Sequence, residues 1–201
     1  MYPVIAIVGR PNTGKSTLFN RITGTRNALI ADMPGVTRDR NYGLATHDGR
    51  RMIIVDTGGL NDHSSSDQAM SDLISQQSLQ AIKEADIIFW VLDGQAGLTP
   101  GDENLTGILR PFGKKLYLLI NKTEGMDEDM TCADFYHLGM GTPYAISAQK
   151  GYGLEPVLDM ALTDYPVEPV TEETPSDTRI AVIGRPNVGK STLINRLTGE
   201  N

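Results

Sequence analysis

Strand-length runs rich in apolar and β-branched residues alternate with longer segments of helical character along most of the chain. The runs occur at residues 4–8, 42–46, 51–55, 86–92, 116–120 and 144–146. Helices are predicted near residues 16–23, 68–84, 131–137 and 154–162, and from Pro100 onward. The Asp48-Gly49 turn makes the second and third strands a hairpin. The pattern predicts an α/β fold with three layers: a mostly parallel six-stranded sheet with one antiparallel strand, and helices on both faces.

The end of the chain differs from the part before it. Residues 163–178 hold three prolines and five acidic residues without a basic one, which predicts an extended linker. Beyond it, residues 180–199 repeat residues 5–24 with 15 identities in 20 positions. We therefore predict one domain at 1–162, a linker at 163–178 and the start of a second domain at 179–201. A lone strand and helix cannot bury their apolar faces, so we expect that tail to be disordered or to rest on another surface.

Composition narrows the classes of function. The net charge of -7 argues against nucleic-acid binding through general electrostatics. The chain has no run of eighteen apolar residues and no charged-then-apolar leader at Met1, so a cytoplasmic protein without a membrane span is predicted. The lone Cys132 cannot form an internal disulfide, and the three histidines show no metal-ligand spacing.

A phosphate-binding loop is predicted between the first strand and the first helix, because the sequence there matches the motif G-x-x-x-x-G-K-[ST]. Its glycines let backbone N–H groups point into one concavity at a helix N-terminus, which favours an anion. Lys15 supplies a cation for the β- and γ-phosphates, and the Ser16 hydroxyl is a ligand for Mg²⁺. An ordinary glycine-rich turn would leave both residues unexplained. The residues predicted to contact the nucleotide here are Gly9, Arg10, Pro11, Asn12, Thr13, Gly14, Lys15, Ser16 and Thr17.

A second set of candidates follows the third strand. Asp56 stands at the carboxyl end of that strand, where ligands bind in open α/β sheets, and is predicted to complete the Mg²⁺ shell with Ser16 and Thr37. Thr37 lies in a long polar loop, residues 25–41, and its hydroxyl is expected to close onto the metal and the γ-phosphate. The residues predicted to contact nucleotide after this strand are Asp56, Thr57, Gly58, Gly59 and Leu60, with the Gly59 N–H at the terminal phosphate.

The base is predicted to bind at two later strand ends. Asn121-Lys122-Thr123-Glu124 resembles the N-K-x-D signature of GTPases, in which an acidic side chain accepts hydrogen bonds from guanine N1–H and its exocyclic amine. Glu124 is one methylene longer and keeps both acceptor oxygens. Ser147 and Ala148, followed by Gln149, resemble the last GTPase motif, whose backbone N–H contacts guanine O6. The order of these motifs resembles the translation-factor class of small GTPases, with a Ras-like G domain.

The tandem phosphate loops joined by an acidic linker resemble the EngA/Der family, bacterial GTPases with two consecutive G domains followed by a KH-like domain. The resemblance implies a GTP-hydrolysing switch that acts in assembly of the large ribosomal subunit, which it would contact through regions absent from this sequence. Three alternatives stay open: a GTPase of the Era or MnmE type, against which the second copy argues, a nucleotide-gated scaffold with negligible turnover, and an ATPase.

The predicted chemistry departs from the Ras pattern at one position. Leu60 stands where Ras-like enzymes place the glutamine that orients the attacking water, so slow intrinsic hydrolysis is expected. The family resemblance implies that Asn12 helps to hold a K⁺ ion beside the β- and γ-phosphates, although Asn12 could also be a turn residue only. The catalytic set is therefore predicted to be Lys15, Asn12, Thr37 and Gly59. The loops 25–41 and 57–67 are expected to be ordered with GTP and looser with GDP.

Overall fold

A computed structural model describes residues 2–24, 41–58 and 76–167 of the 201-residue chain. A single sheet contains the strands β1 Val4–Val8, β2 Asn41–His47, β3 Arg50–Asp56, β4 Ile87–Asp93, β5 Lys115–Asn121 and β6 Pro143–Ala145. The helices are α1 Lys15–Thr23, α2 Gln76–Glu84, α3 Pro100–Leu109, α4 Glu128–Ala133 and α5 Leu154–Leu162. Short 3₁₀ turns follow α3 and α4.

The sheet has six strands in the order β2-β3-β1-β4-β5-β6, and all neighbours are parallel except β2 and β3. This arrangement confirms the predicted fold class. Because β1, β3, β4 and β5 run in the same direction, their carboxyl ends meet at one edge of the sheet. The loops that carry the predicted motifs start at that edge.

Two apolar clusters cover the two faces of the sheet. Successive side chains of a strand point to opposite faces, and every residue of β4 before Asp93 is buried. Phe89 contributes to the cluster that contains residues of α1 and α5, whereas Trp90 contributes to the cluster that contains residues of α2, α3 and α4. Trp90 is fully buried, in keeping with the role in core packing that its strand position predicts.

The helix expected near residues 131–137 is different in the structure. α4 begins earlier, at Glu128, because the Asp127 side chain accepts a hydrogen bond of 2.9 Å from the Met130 backbone N–H and so caps the helix. After Ala133 the chain continues as a 3₁₀ turn, Asp134–Leu138, which ends at Gly139 with φ of 59°. The prediction therefore placed one α-helix where the chain forms two short elements.

Several predictions fall outside the described residues. They concern the loops 25–40 and 59–67, the beginning of the helix predicted at 68–84, most of the linker, and the repeat at 179–201. Within the described residues, no helix combines the length and apolar character that a membrane span requires.

Candidate functional site

The phosphate loop connects β1 to α1 in a conformation that its glycines make accessible. Gly9 has φ of 153°, and a β-carbon there would overlap the Val91 carbonyl oxygen. Gly14 has φ of 97°, and a β-carbon there would overlap the Asn121 side-chain amide. Gly14 is also the residue before α1, and no side chain caps that helix. The first backbone N–H groups of α1 are therefore available to an anion, which stabilises a helix N-terminus.

Lys15 lies over this loop. Its Nζ donates a hydrogen bond of 2.7 Å to the Arg10 carbonyl oxygen, which also accepts one of 3.0 Å from the Thr13 hydroxyl. Lys15 is 7% exposed. Burial lowers its pKa, and the nearby Asp56 carboxylate opposes that shift. A desolvated ammonium group beside uncapped N–H groups suits a polyphosphate, since both groups gain from a nearby negative charge.

Asp56 meets the loop from the end of β3. Its Oδ2 accepts a hydrogen bond of 2.8 Å from the Ser16 hydroxyl, and its Oδ1 accepts one of 2.8 Å from the Gly58 N–H. The Thr57 hydroxyl donates to the Ile7 carbonyl oxygen at 2.8 Å, so it holds the backbone after β3 against β1. A hydroxyl and a carboxylate in contact are hard oxygen donors, which fit Mg²⁺. Thr37, Gly59 and Leu60, the other candidates of this region, lie outside the described residues.

Asn121 joins three loops at the end of β5. Its Nδ2 donates to the Thr13 carbonyl oxygen at 2.8 Å, and its Oδ1 accepts from the Ala148 N–H at 2.8 Å. The residue is 3% exposed. These contacts show that the asparagine holds the phosphate loop and the loop after β6 in fixed positions next to each other. One residue on, Lys122 has φ of 67° and donates from Nζ to the Asn12 carbonyl oxygen at 2.7 Å.

Glu124 stands at the mouth of an adjoining cleft. The cleft has a volume of about 330 Å³ and is lined by Gly14, Thr17, Gln95, Asn121, Lys122, Glu124 and Gln149. Ser147 donates its hydroxyl hydrogen bond to Glu124 Oε1. This hydrogen bond lowers the pKa of Glu124, so the side chain is a carboxylate at neutral pH. The cleft therefore presents two carboxylate oxygens beside the phosphate loop.

The structure brings together the predicted site residues that it describes. Ser147 accepts a hydrogen bond of 3.0 Å from the Lys150 N–H, which helps to shape the loop after β6. Pro11 and Asn12 are exposed in the phosphate loop, and Arg10 points away from it toward α3. The Arg10 side chain forms an ion pair of 2.7 Å with Asp102 in the first turn of α3.

Three further residues were not predicted to belong to the site. Asp93 at the end of β4 forms a 2.5 Å ion pair with Lys122. Burial alone would raise the pKa of Asp93, but the hydrogen bond from Lys122 and those from backbone N–H groups lower it. Arg21 of α1 donates to the carbonyl oxygens of Ala148 and Gln149. Asp102 binds Arg10, as above. Only Asp93 had a sequence signal, an acidic residue at the carboxyl end of a buried strand.

The sheet topology places a phosphate loop after β1, an aspartate at the end of β3 and a carboxylate beside the cleft after β5. These features define the class of P-loop GTPase domains. The chain belongs to the 50S ribosome-binding GTPase family, whose sequence profile matches residues 4–122 and 179–201. The second matched stretch includes the internal repeat.

Individual relatives agree with this assignment. The chain is 52% identical over 202 residues to GTPase Der of Legionella pneumophila (strain Paris), an alignment that covers 100% of this chain and 43% of the relative. The chain thus spans less than half the length of the curated relatives that it matches. Among solved structures, Era of Aquifex aeolicus bound to GDP and AlF4⁻ has 29% identity and a TM-score of 0.62, covering 81% of this chain and 56% of Era. Era in complex with MgGDPNP and 16S ribosomal RNA gives the same values.

Proposed function

We propose that this chain binds guanine nucleotides, hydrolyses GTP to GDP and phosphate, and serves as the switch domain of a protein that acts in assembly of the large ribosomal subunit. One observation carries the proposal: the phosphate loop, Asp56 and Glu124 meet at the same edge of the sheet. That arrangement provides cationic and N–H groups for a polyphosphate at one end, and a carboxylate for a base at the other.

The phosphate end uses groups that are already in place. Lys15 would exchange the Arg10 carbonyl oxygen for phosphate oxygens, a stronger partner because both members of the new pair are charged. Ser16 and Asp56 would hold Mg²⁺, which lowers the repulsion between phosphate oxygens when bound. Era provides support from a relative, since its structure contains MgGDPNP. Thr37 and Gly59 are proposed to contact the metal and the γ-phosphate.

The base end selects guanine through Glu124. Its carboxylate would accept both N1–H and the exocyclic amine of guanine, whereas adenine offers no matching pair of donors. Ser147 holds Glu124 by a hydrogen bond and so limits the conformations of a side chain that is one methylene longer than aspartate. Asn121 fixes the loops on both sides, and the Ala148 and Gln149 backbone borders the base. An ATPase is disfavoured because adenine would leave the carboxylate unpaired.

Base selectivity tests this proposal. We expect GDP to bind about a hundredfold more tightly than ADP, and the ratio to stay constant from about pH 8 to about pH 5. Glu124 stays a carboxylate throughout this interval, because the hydrogen bond from Ser147 lowers its pKa from the ordinary value. The dissociation constants of GDP and ADP are measured at each pH, and their ratio is compared. Protonation of the phosphates affects both nucleotides alike and therefore cancels in the ratio.

Two variants control this measurement. Glu124→Gln should reduce the GDP preference to within about tenfold, because one acceptor oxygen becomes an amide donor that faces the donors of guanine. Glu103→Gln removes the same charge from an exposed position on α3 and should leave the ratio unchanged. An unaltered preference in the Glu124 variant, or tight binding of ADP, would reject guanine recognition at this cleft.

Hydrolysis is proposed to be slow, because Leu60 cannot hydrogen-bond the attacking water. Asn12 is proposed to compensate. Its backbone carbonyl oxygen holds Lys122, and its exposed side chain offers an amide oxygen at the edge of the phosphate loop, a donor that suits K⁺. Bound there, K⁺ would stabilise the charge that develops on the phosphates.

The rate of single-turnover GTP hydrolysis is expected to be roughly tenfold or more higher in K⁺ than in Na⁺ at equal ionic strength. Asn12→Gly should remove the difference while keeping the loop, because glycine tolerates the φ of 65° at this position. The matched substitution Asn187→Gly in the repeat should have no effect. Equal rates in the two salts would exclude the ion, and no measurable turnover would favour the nucleotide-gated scaffold.

The wider role is proposed from the family. Membership of the 50S ribosome-binding GTPases supports the large ribosomal subunit as a partner and the cytoplasm as the location. We propose that residues 1–162 form the first G domain, 163–178 a linker, and 179–201 the start of a second G domain. The loops 25–41 and 57–67 are proposed to change order with the nucleotide. Binding of GDP and GTP to the phosphate loop does not depend on these wider assignments.

A further inference from the structure

Negative charge is concentrated in one stretch of the sequence, although one of its carboxylates, Asp164, pairs with Lys115 outside the stretch. Residues 123–164 hold eight acidic residues and one basic residue, Lys150, so this stretch carries a net charge of -7 at neutral pH. The whole chain also has a net charge of -7, so all other residues together sum to zero. The acidic residues are Glu124, Asp127, Glu128, Asp129, Asp134, Glu155, Asp159 and Asp164. Most of them belong to α4, its following 3₁₀ turn and α5.

The same part of the domain contains an open cleft between α4, β6 and α5, called the α4–α5 groove below. It has a volume of about 300 Å³, and its walls include Cys132, Tyr136, Tyr144, Pro156 and Val157. Glu128 and Asp129 lie at its rim. Burial raises the pKa of Cys132, so the thiol stays neutral and forms part of an apolar wall. The groove thus has mixed apolar and polar walls and a negatively charged edge.

Large side chains around the α4–α5 groove are exposed to solvent. Tyr136 is 56% exposed and Met130, on α4, is 78% exposed. On the opposite side, Met160 of α5 is 37% exposed and accepts a long hydrogen bond of 3.7 Å from the Tyr144 hydroxyl to its sulfur. Tyrosine and methionine are enriched at binding surfaces, where they provide contact area that adapts to a partner. Exposed apolar groups with a charged rim are typical of an interaction site.

We propose that the α4–α5 groove binds a basic segment of a partner protein, with an apolar side chain in the groove and lysine or arginine residues against its rim. The negative charge of the rim indicates which kind of partner the groove can bind. A nucleic acid would be repelled by the acidic rim, and the linker of this chain is itself acidic. The groove shares no lining residue with the cleft that contains Glu124, so the two sites are separate.

Binding of a labelled amphipathic peptide of lysine and leucine to the full chain tests this proposal by fluorescence anisotropy. A scrambled peptide of the same composition, which has no continuous apolar face, measures attraction by charge alone. A labelled single-stranded RNA serves as the third probe. We expect the amphipathic peptide to bind at least about tenfold more tightly than the scrambled one, and RNA not to bind at the groove.

Substitutions in the groove locate the binding. Glu128→Gln with Asp129→Asn should weaken binding of the amphipathic peptide about fivefold, because two charges at the rim are removed. Tyr136→Ala should weaken it about tenfold by removing an apolar contact. The control pair Glu84→Gln with Glu103→Gln removes the same total charge from α2 and α3. It should change the affinity less than about twofold. None of these residues lines the nucleotide cleft, so unchanged GDP affinity would show that each variant is folded.

Each other outcome would overturn the proposal. Equal binding of the two peptides would mean general attraction between opposite charges. Equal losses in the groove and control pairs would place the peptide elsewhere on the acidic surface. Preferential binding of RNA, weakened by Tyr136→Ala, would mean that the groove recognises a nucleic acid.

Discussion

Replacing Lys15 with methionine is expected to weaken binding of both GDP and GTP roughly a thousandfold, about 4 kcal/mol of binding free energy. The lysine is expected to make two charged hydrogen bonds to phosphate oxygens, and each contributes about 2 kcal/mol. Methionine has a similar length and leaves the loop glycines unchanged. The dissociation constants are measured by titration with fluorescent nucleotides.

The same substitution should not destabilise the nucleotide-free protein. Burial lowers the pKa of Lys15, which means that the folded state disfavours the charged form of this side chain. Removing the charge should therefore leave the unfolding midpoint unchanged or raise it. Binding would then be lost without a loss of stability, a result that general misfolding cannot produce.

The repeat provides a matched control for this experiment. Lys190 occupies the position of Lys15 in the second copy of the phosphate-loop sequence. Lys190→Met should change nucleotide affinity less than about twofold, because the described binding site lies entirely in the first copy. If instead the Lys190 variant lost binding and the Lys15 variant kept it, the nucleotide would belong to the second loop.

For the motif residues that the structure describes, the sequence predicted the position in the fold, because each lies at the end of, or directly after, a strand with a clear apolar pattern. Gly9, Asp56 and Asn121 all come directly after, or at the end of, such a strand. Parallel strands bring those ends to one edge, so spacing along the chain translates into proximity in space. The reasons for individual residue types were only partly predicted. Gly14 was expected to approach an anion, and the structure adds that it also makes room for the Asn121 amide.

The cross-links between loops could not be predicted. Arg21 reaches the loop after β6 across more than a hundred residues of sequence, and its partners there are backbone carbonyl groups, which carry no sequence signal. From the sequence alone Asp102 and Glu103 are equivalent, because either acidic residue is favourable in the first turn of a helix. The structure distinguishes the two, since Asp102 is fully buried and Glu103 is exposed.

Arg10 connects the phosphate loop to the rest of the domain. Its carbonyl oxygen accepts hydrogen bonds from Lys15 and Thr13 on the loop side. Its side chain forms a 2.7 Å ion pair with Asp102 at the start of α3. The backbone that positions Lys15 is therefore held by a contact with another helix. A substitution that breaks this ion pair should therefore affect both α3 and the phosphate loop.

Asp102→Ala is expected to lower the free energy of unfolding by about 3 kcal/mol, which corresponds to a fall of roughly 10 °C in the melting temperature. Asp102 Oδ2 also accepts hydrogen bonds from the Thr99 N–H at 3.1 Å and the Thr99 hydroxyl at 2.7 Å, so the substitution removes a helix cap as well as an ion pair. It leaves the guanidinium of Arg10 without its carboxylate, and Arg10 Nη2 is already a buried atom without a hydrogen-bond partner among the described residues. Arg10 is 22% exposed, which allows water to offset part of the loss and sets the expected value at the lower end for such pairs.

Glu103→Ala provides the matched control, because Glu103 is the exposed neighbour of Asp102 in the same helical turn. It should change stability by no more than about 0.5 kcal/mol. Asp102→Asn should fall between the two variants, since it keeps the shape and one acceptor oxygen for Arg10 but loses the charge. Thermal unfolding of the three variants without nucleotide measures these differences. Equal melting temperatures for Asp102→Ala and Glu103→Ala would mean that the ion pair does not hold the phosphate loop. The expected order of melting temperatures would show instead that the domain carrying the phosphate loop depends for its stability on a carboxylate outside that loop.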